Sequence, residues 1–188
     1  GTIINNLYGD SIYSCVVTDS RNCQDSSYFV NLPQPAILVA DINITTDYNG
    51  TSIECFGDTN ASVLASATGG SGIGTYSYEW FLQGQSIGLS STLNNLGAGT
   101  YVVEIIDTNG CNDIENVEIL NPSPITISHT VSDYNGSNIS CSDSLDGFIN
   151  TVISGGNGID TTSILWNTGQ TVPSISNLNA GTYHLTVS

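Results

Sequence analysis

The sequence predicts an all-β protein built from tandem β-sandwich repeats, and three observations carry that prediction. The first is a recurring segment. Asn94–Cys111 reads NNLGAGTYVVEIIDTNGC, with an earlier counterpart NNLYGDSIYSCVVTDSRNC at Asn5–Cys23 and a later one, NLNAGTYHLTVS, at Asn177–Ser188. The second is a period of two inside each copy. One face carries Tyr13, Cys15 and Val17, then Tyr101, Val103 and Ile105, then Tyr183, Leu185 and Val187. The alternate positions are mixed or polar, as expected of a half-buried strand with an apolar core face. The third is the spacing of turn signals: Gly, Asn and Asp clusters interrupt short β-prone runs about every ten residues, and no helical period is present.

Taken in order, residues 1–35 read as the C-terminal part of a first module. A strand over Ile12–Thr18 is followed by a turn at Asp19–Asn22, Cys23, and a closing strand near Ser27–Leu32 that Pro33 and Pro35 end. Residues 36–124 read as one complete module. Its expected strands are Ala36–Thr46, Ser62–Thr68, the stretch carrying Tyr76, Tyr78 and Trp80, Ser86–Leu93, the organising strand after Gly99, and a last strand near Asn116–Leu120. Asp47-Tyr-Asn-Gly50, Gly69-Gly70-Ser-Gly and Asp107-Thr-Asn-Gly110 supply its turns, since Gly and Asn tolerate positive φ.

Residues 125–188 read as the N-terminal part of a third, truncated module. Asp133–Gly136 repeats Asp47–Gly50, Cys141 repeats Cys55, Gly155-Gly156 repeats Gly69-Gly70 and Trp166 repeats Trp80, each 86 residues on. Unrelated landmarks that keep one interval mark tandem duplication. The repeat is about 86–89 residues long, and the chain reads as a piece of a longer array at both ends. Pro33-Gln-Pro35 and Pro122-Ser-Pro124 would make the junctions short and stiff, favouring an extended rod.

Composition narrows the function. Seventeen acids face a single base, Arg21, giving a net charge of −16 in 188 residues. Phosphate binding needs Lys and Arg, so nucleic acid is excluded as a partner, and anionic membrane surfaces are disfavoured. No apolar run is long enough for a membrane helix, so direct membrane insertion is not expected. No Ser/His/Asp order recurs and the complete module has no His, so the chain is not expected to be an enzyme. Five cysteines without a Cys-x-x-Cys spacing track the repeat, which favours disulfides in an oxidising compartment over a metal site.

The motif Cys…Gly-Gly…Tyr-x-Trp…Leu-x-Ala-Gly-Thr-Tyr…Asp-x-Asn-Gly-Cys…Pro resembles the SprB repeat of Bacteroidetes cell-surface adhesins, including the gliding-motility adhesin. It is also similar to PKD-type and other immunoglobulin-like modules. Tyr101 and Tyr183 then stand where such domains carry a tyrosine corner, and Trp80 and Trp166 where they carry a buried core tryptophan. Asn22 departs from the turn glycine, and Cys15 is extra. The resemblance implies secretion through the type IX route, an extracellular place on the bacterial cell surface, and a role in adhesion or gliding. The partners it suggests are adjacent modules, surface polysaccharide, or other copies of the same chain in a filament or sheath.

Three candidate sites follow. The repeat makes Cys55 and Cys111 the within-module disulfide pair, worth about 4 kcal/mol in the chain-entropy picture, with reduced buried thiols as the alternative. Cys23 and Cys141 would pair outside the chain, and Cys15, on a core face, would either bond a strand beyond the chain or stay free and buried. Asp107, Asn109, Asp113 and Glu115 gather oxygen ligands that suit Ca2+, with an ordinary hairpin turn as the alternative, because the EF-hand spacing is absent. Ser11, Ser144 and Thr161 follow aspartates in a pattern resembling the Bacteroidetes O-glycosylation motif, with chance as the alternative. Asn43, Asn49, Asn60, Asn135 and Asn138 match Asn-x-Ser/Thr.

Overall fold

The organising segment of the central module folds into one strand with the predicted face inward; its first counterpart divides into two strands that leave Cys15 and Val17 exposed, and in the last one Tyr183, Leu185 and Val187 are half-buried. The computed structural model describes residues 3–72, 74–157 and 164–188; among these there are sixteen strands and no helix. The central module contains β5 (Val39–Ile44), β6 (Ala61–Thr68), β7 (Ser77–Leu82), β8 (Gln85–Gly88), β9 (Thr92–Leu96), β10 (Gly99–Ile106) and β11 (Asn112–Ile119). They form two antiparallel sheets, β5-β6-β9 and β11-β10-β7-β8, facing each other as an immunoglobulin-like sandwich. Tyr101, Val103 and Ile105 of β10 are buried, and they meet Ala61, Val63 and Ala65 of β6, Trp80 of β7 and Ile119 of β11. Alternation put these side chains inside; apolar burial near 25 cal/mol per Å² holds the two sheets together.

Two strands were expected as one. The stretch Ser86–Leu93 divides into β8, which pairs with β7, and β9, which pairs with β6 in the opposite sheet. The crossing occurs at Leu89–Ser91, where the buried Trp80 indole donates to Ser90 O at 2.8 Å. Strand β11 starts directly after Cys111, earlier than Asn116, because Asn112 already pairs with Ile106.

The first segment comprises β1 (Ser11–Tyr13), β2 (Val16–Thr18), β3 (Gln24–Ser26) and β4 (Val30–Leu32). The strand expected over Ile12–Thr18 is thus broken in two, and the closing strand expected near Ser27–Leu32 is β4, preceded by β3 directly after Cys23. Tyr13 pairs with Val30 and Val16 with Ser26, so Ser14-Cys15 lie opposite Ser27-Tyr28-Phe29, a bulge of one extra residue. Cys15 is therefore exposed rather than buried; among the described residues no second sheet covers this hairpin.

The third module contains β12 (Ser123–Val131), β13 (Gly147–Gly156), β14 (Ile164–Trp166), β15 (Ser174–Leu178) and β16 (Leu185–Val187). Sheets β12-β13-β15 and β14-β16 reproduce the order of the central module. Ile164, Trp166, Ile175 and Leu178 form its core, with Tyr183 and Leu185 packed against it. A cleft lined by Ile127, His129, Phe148, Trp166, Tyr183 and Leu185 opens between β12 and β16, at the position β11 fills in the central module. Strand β12 begins at Ser123, inside Pro122-Ser-Pro124. Pro124 falls at the register shift between Ser123 and Thr126, a site where a missing N–H breaks no ladder bond.

Candidate functional site at the module ends

For a chain of repeated sandwiches, the residues of interest are those where one module meets the next. The loop between β5 and β6 begins with a turn that both modules build alike. Asp47 Oδ1 accepts from Gly50 N at 2.7 Å, and Tyr48 N donates to Thr51 O at 2.7 Å. In the third module Asp133 Oδ1 accepts from Gly136 N at 2.7 Å, and Tyr134 N donates to Ser137 O at 2.7 Å. Asn49 and Asn135 take positive φ, 55° and 60°, which asparagine tolerates best among non-glycine residues. Thr46 and Ser132 brace the two turns, their hydroxyls donating to Ser52 O at 3.0 Å and Asn138 O at 2.6 Å.

In the central module this turn is occupied. Asn157, at the end of β13 in the next module, sits on it. The Asn157 amide donates to Ile53 O at 2.9 Å and also reaches Glu54 O. Its Oδ1 lies 2.7 Å from the Thr51 hydroxyl, and Asn49 Nδ2 donates to Asn157 O at 2.6 Å. The Thr51 hydroxyl has one proton and also lies 2.7 Å from Ile53 O and 3.1 Å from Tyr48 O, so three acceptors compete for it. A primary amide suits this position because its N–H groups meet two backbone carbonyls while its oxygen lies against the Thr51 hydroxyl. The linker adds a second tie: Gly57 N donates to Asn121 Oδ1 at 3.1 Å. In the third module the corresponding Tyr134, Asn135 and Ser137 are exposed.

The opposite end of each module is set by the turn before β11. Asp107 is buried, and its carboxylate accepts from Ser71 N at 2.8 Å, Asn109 N at 2.9 Å and Cys111 N at 2.9 Å. These backbone donors, Ser71 first and then Cys111 and Asn109, hold its carboxyl below the usual aspartate value against a partial desolvation that pushes the other way. The first segment repeats the turn, with Asp19 Oδ1 accepting from Arg21 N and Cys23 N, both at 2.8 Å. Asn22 takes the place of Gly110 at a φ of 63°, which explains how the turn survives without its glycine.

The predicted site residues fare unequally. Tyr101, Trp80 and Trp166 are buried and Tyr183 half-buried. Cys55 and Cys111 are both exposed free thiols and do not come together. Cys111 precedes β11, whereas the loop of Cys55 touches Asn121 beyond the far end of that strand. Eight residues of strand span about 26 Å, far beyond the roughly 7 Å a disulfide tolerates between Cα atoms. The within-module pairing is thus corrected. The four oxygen ligands also point to separate tasks. Asp107 serves three amides, Asp113 Oδ2 accepts from Ala40 N at 2.8 Å, Asn109 donates to Ser71 Oγ at 2.8 Å, and Glu115 accepts from Asn116 N at 3.0 Å. Among the described residues no group of three or more His, Cys, Asp or Glu converges. Ser11 and Ser144 are half-buried, each at a turn after a positive-φ aspartate, and Thr161 lies outside the described residues.

Sequence reasoning missed Asn157. The available signal was the substitution of Asn157 for Ser71 after the repeated Gly-Gly, a polar change at one position of an otherwise matched loop.

No family profile matches the chain, and no curated protein matches it. Among solved structures it is similar to the three N-terminal domains of the bacteriophage RB49 Highly Immunogenic Outer Capsid protein, at 14% identity and a TM-score of 0.46. That match covers 84% of this chain and 54% of the other, so the chain spans about half the length of the three-domain chain it is similar to.

Proposed function

We propose that this chain belongs to the repeat region of a secreted bacterial cell-surface protein of the adhesin type, where it provides reach and stiffness for adhesion or gliding. The observation that carries the reading is the junction: Asn157 of one module engages four residues of the preceding one, so successive modules are joined by side chains as well as by the linker. The SprB-like motif and the acidic, nearly base-free composition support a place outside the cell. Mutual repulsion of negative modules favours extension over collapse. Small-angle scattering of the full chain tests it. An elongated particle that does not compact in high salt supports the reading; a single compact globule contradicts it.

A second reading, a self-associating filament or sheath, draws on the exposed apolar side chains of the first segment, among them Ile4, Tyr8, Tyr28 and Phe29. Light scattering over a concentration series separates the two, since a spacer stays monomeric and a filament subunit does not.

A further inference from the structure

In the central module the loop after β6 is tied to the turn that carries Cys111. Ser71 N donates to Asp107 Oδ2 at 2.8 Å, Asn109 Nδ2 donates to Ser71 Oγ at 2.8 Å, and the Thr108 hydroxyl donates to Ser71 O at 3.3 Å. In the third module the equivalent loop residue is Asn157, and it rests on Ile53 and Glu54 of the central module, immediately before Cys55. The loop after β6 thus lies beside the Cys111 turn of its own module, and the equivalent loop after β13 lies beside Cys55 of the module before; repeat equivalence joins the two positions.

We infer that disulfides in this array run between successive modules, joining the Cys55-type cysteine of one repeat to the Cys111-type cysteine of the repeat that follows. Cys55 and Cys141 are then sockets for a following repeat, and Cys23 and Cys111 are plugs for a preceding one. All four are exposed thiols, as such a pairing requires. This inference rests on the tandem-array reading and sharpens it, because a bond beside Asn157 would close each junction covalently and stop it from hinging open under load.

The chemistry is thiol–disulfide exchange with an external disulfide carrier, a small molecule or a protein. One cysteine thiolate attacks the carrier, forming a mixed disulfide and releasing one carrier thiolate. The second cysteine then attacks the mixed disulfide and frees the other carrier sulfur. Two protons and two electrons pass from the cysteines, and the carrier leaves reduced. Desolvation, together with Asp58 and Glu54, raises the Cys55 thiol above its ordinary value, so exchange should be faster at mildly alkaline pH.

The experiment lengthens the full chain beyond Ser188 with a copy of Asp107–Asn121, which gives the third module its own turn and plug cysteine. After equilibration with reduced and oxidised glutathione, the protein is digested without reduction and its linked peptides are identified by mass spectrometry. A link from Cys55 to the added cysteine supports the inference. A link from Cys55 to Cys111, or Cys55 recovered as a free thiol, overturns it. Should the lengthened chain fail to fold, the variant Asn157→Cys in the original chain decides. A bond between position 157 and Cys55 supports the junction geometry, and free thiols at both positions overturn it. Elongation by scattering is measured on the same samples, so a failed pairing in a still extended particle sinks this inference and leaves the array reading standing.

Discussion

Tyr101 and Tyr183 make the same bond in two different modules. The Tyr101 hydroxyl donates to Gly97 O at 3.1 Å and the Tyr183 hydroxyl to Asn179 O at 3.0 Å, each four residues back. Tyr13 does likewise to Tyr8 O at 3.1 Å, one residue further. Each ring thus pins the turn that precedes its own strand. The Asn at the start of each turn, Asn6, Asn95 and Asn177, takes a φ between 58° and 61°. Replacing Tyr101 by Phe keeps the ring in the core and removes the pin. Thermal or urea melting should show a loss of about 1 kcal/mol, with Tyr183→Phe losing less because its site is more open. An unchanged midpoint for Tyr101→Phe would mean that the hydroxyl is not structural.

Gly69 and Gly155 predict a larger loss. Each has positive φ, 76° and 88°, and a Cβ added at either would lie 2.0 Å from a carbonyl oxygen, that of Ile37 or of Pro124. The clash is with backbone, which cannot step aside cheaply. Gly69→Ala and Gly155→Ala should each cost about 1–3 kcal/mol or more. Gly110→Ala should cost less, since its Cβ would meet nothing within 4 Å and only its φ of 84° is strained. Denaturant midpoints of the three variants check this order.

Acid should loosen the central module through Asp107. Its folded carboxyl lies below the ordinary aspartate value, so its contribution is fully present above the unfolded value, about 4, and is lost as pH falls through the folded one. Asp146, lowered mainly by its hydrogen bond from Ser140, acts in the same direction in the third module. Melting temperatures should therefore drop as pH falls below about 4. Asp107→Asn should be less stable at neutral pH and lose less on acidification. Parallel pH profiles for the variant and the parent would remove Asp107 from the explanation.

The sandwich was legible because its signals are local and repeated. Alternation at Tyr101, Val103 and Ile105 fixes a strand face, and an interval shared by Asp47, Cys55 and Trp80 fixes the repeat. The break between β8 and β9 was not legible, since Ser90 reads as strand until the Trp80 indole claims its carbonyl. The bulge opposite Ser14-Cys15 depends on cross-strand register, which a single strand's pattern does not carry. The cysteine pairing failed for the same reason. A matching interval says that Cys55 and Cys111 recur together, not that they stand at one end of the sandwich. Asn157 was hidden because its partners, Thr51 and Ile53, lie in another module.

The central claim is that one module is held to the next by Asn157. Residual dipolar couplings from the full chain in dilute aligned medium measure it directly. The account predicts one common alignment tensor for the central and third modules, and two diverging tensors for Asn157→Ala with both modules still folded. Independent tensors in the parent chain, or a common tensor that the substitution leaves unchanged, would contradict it.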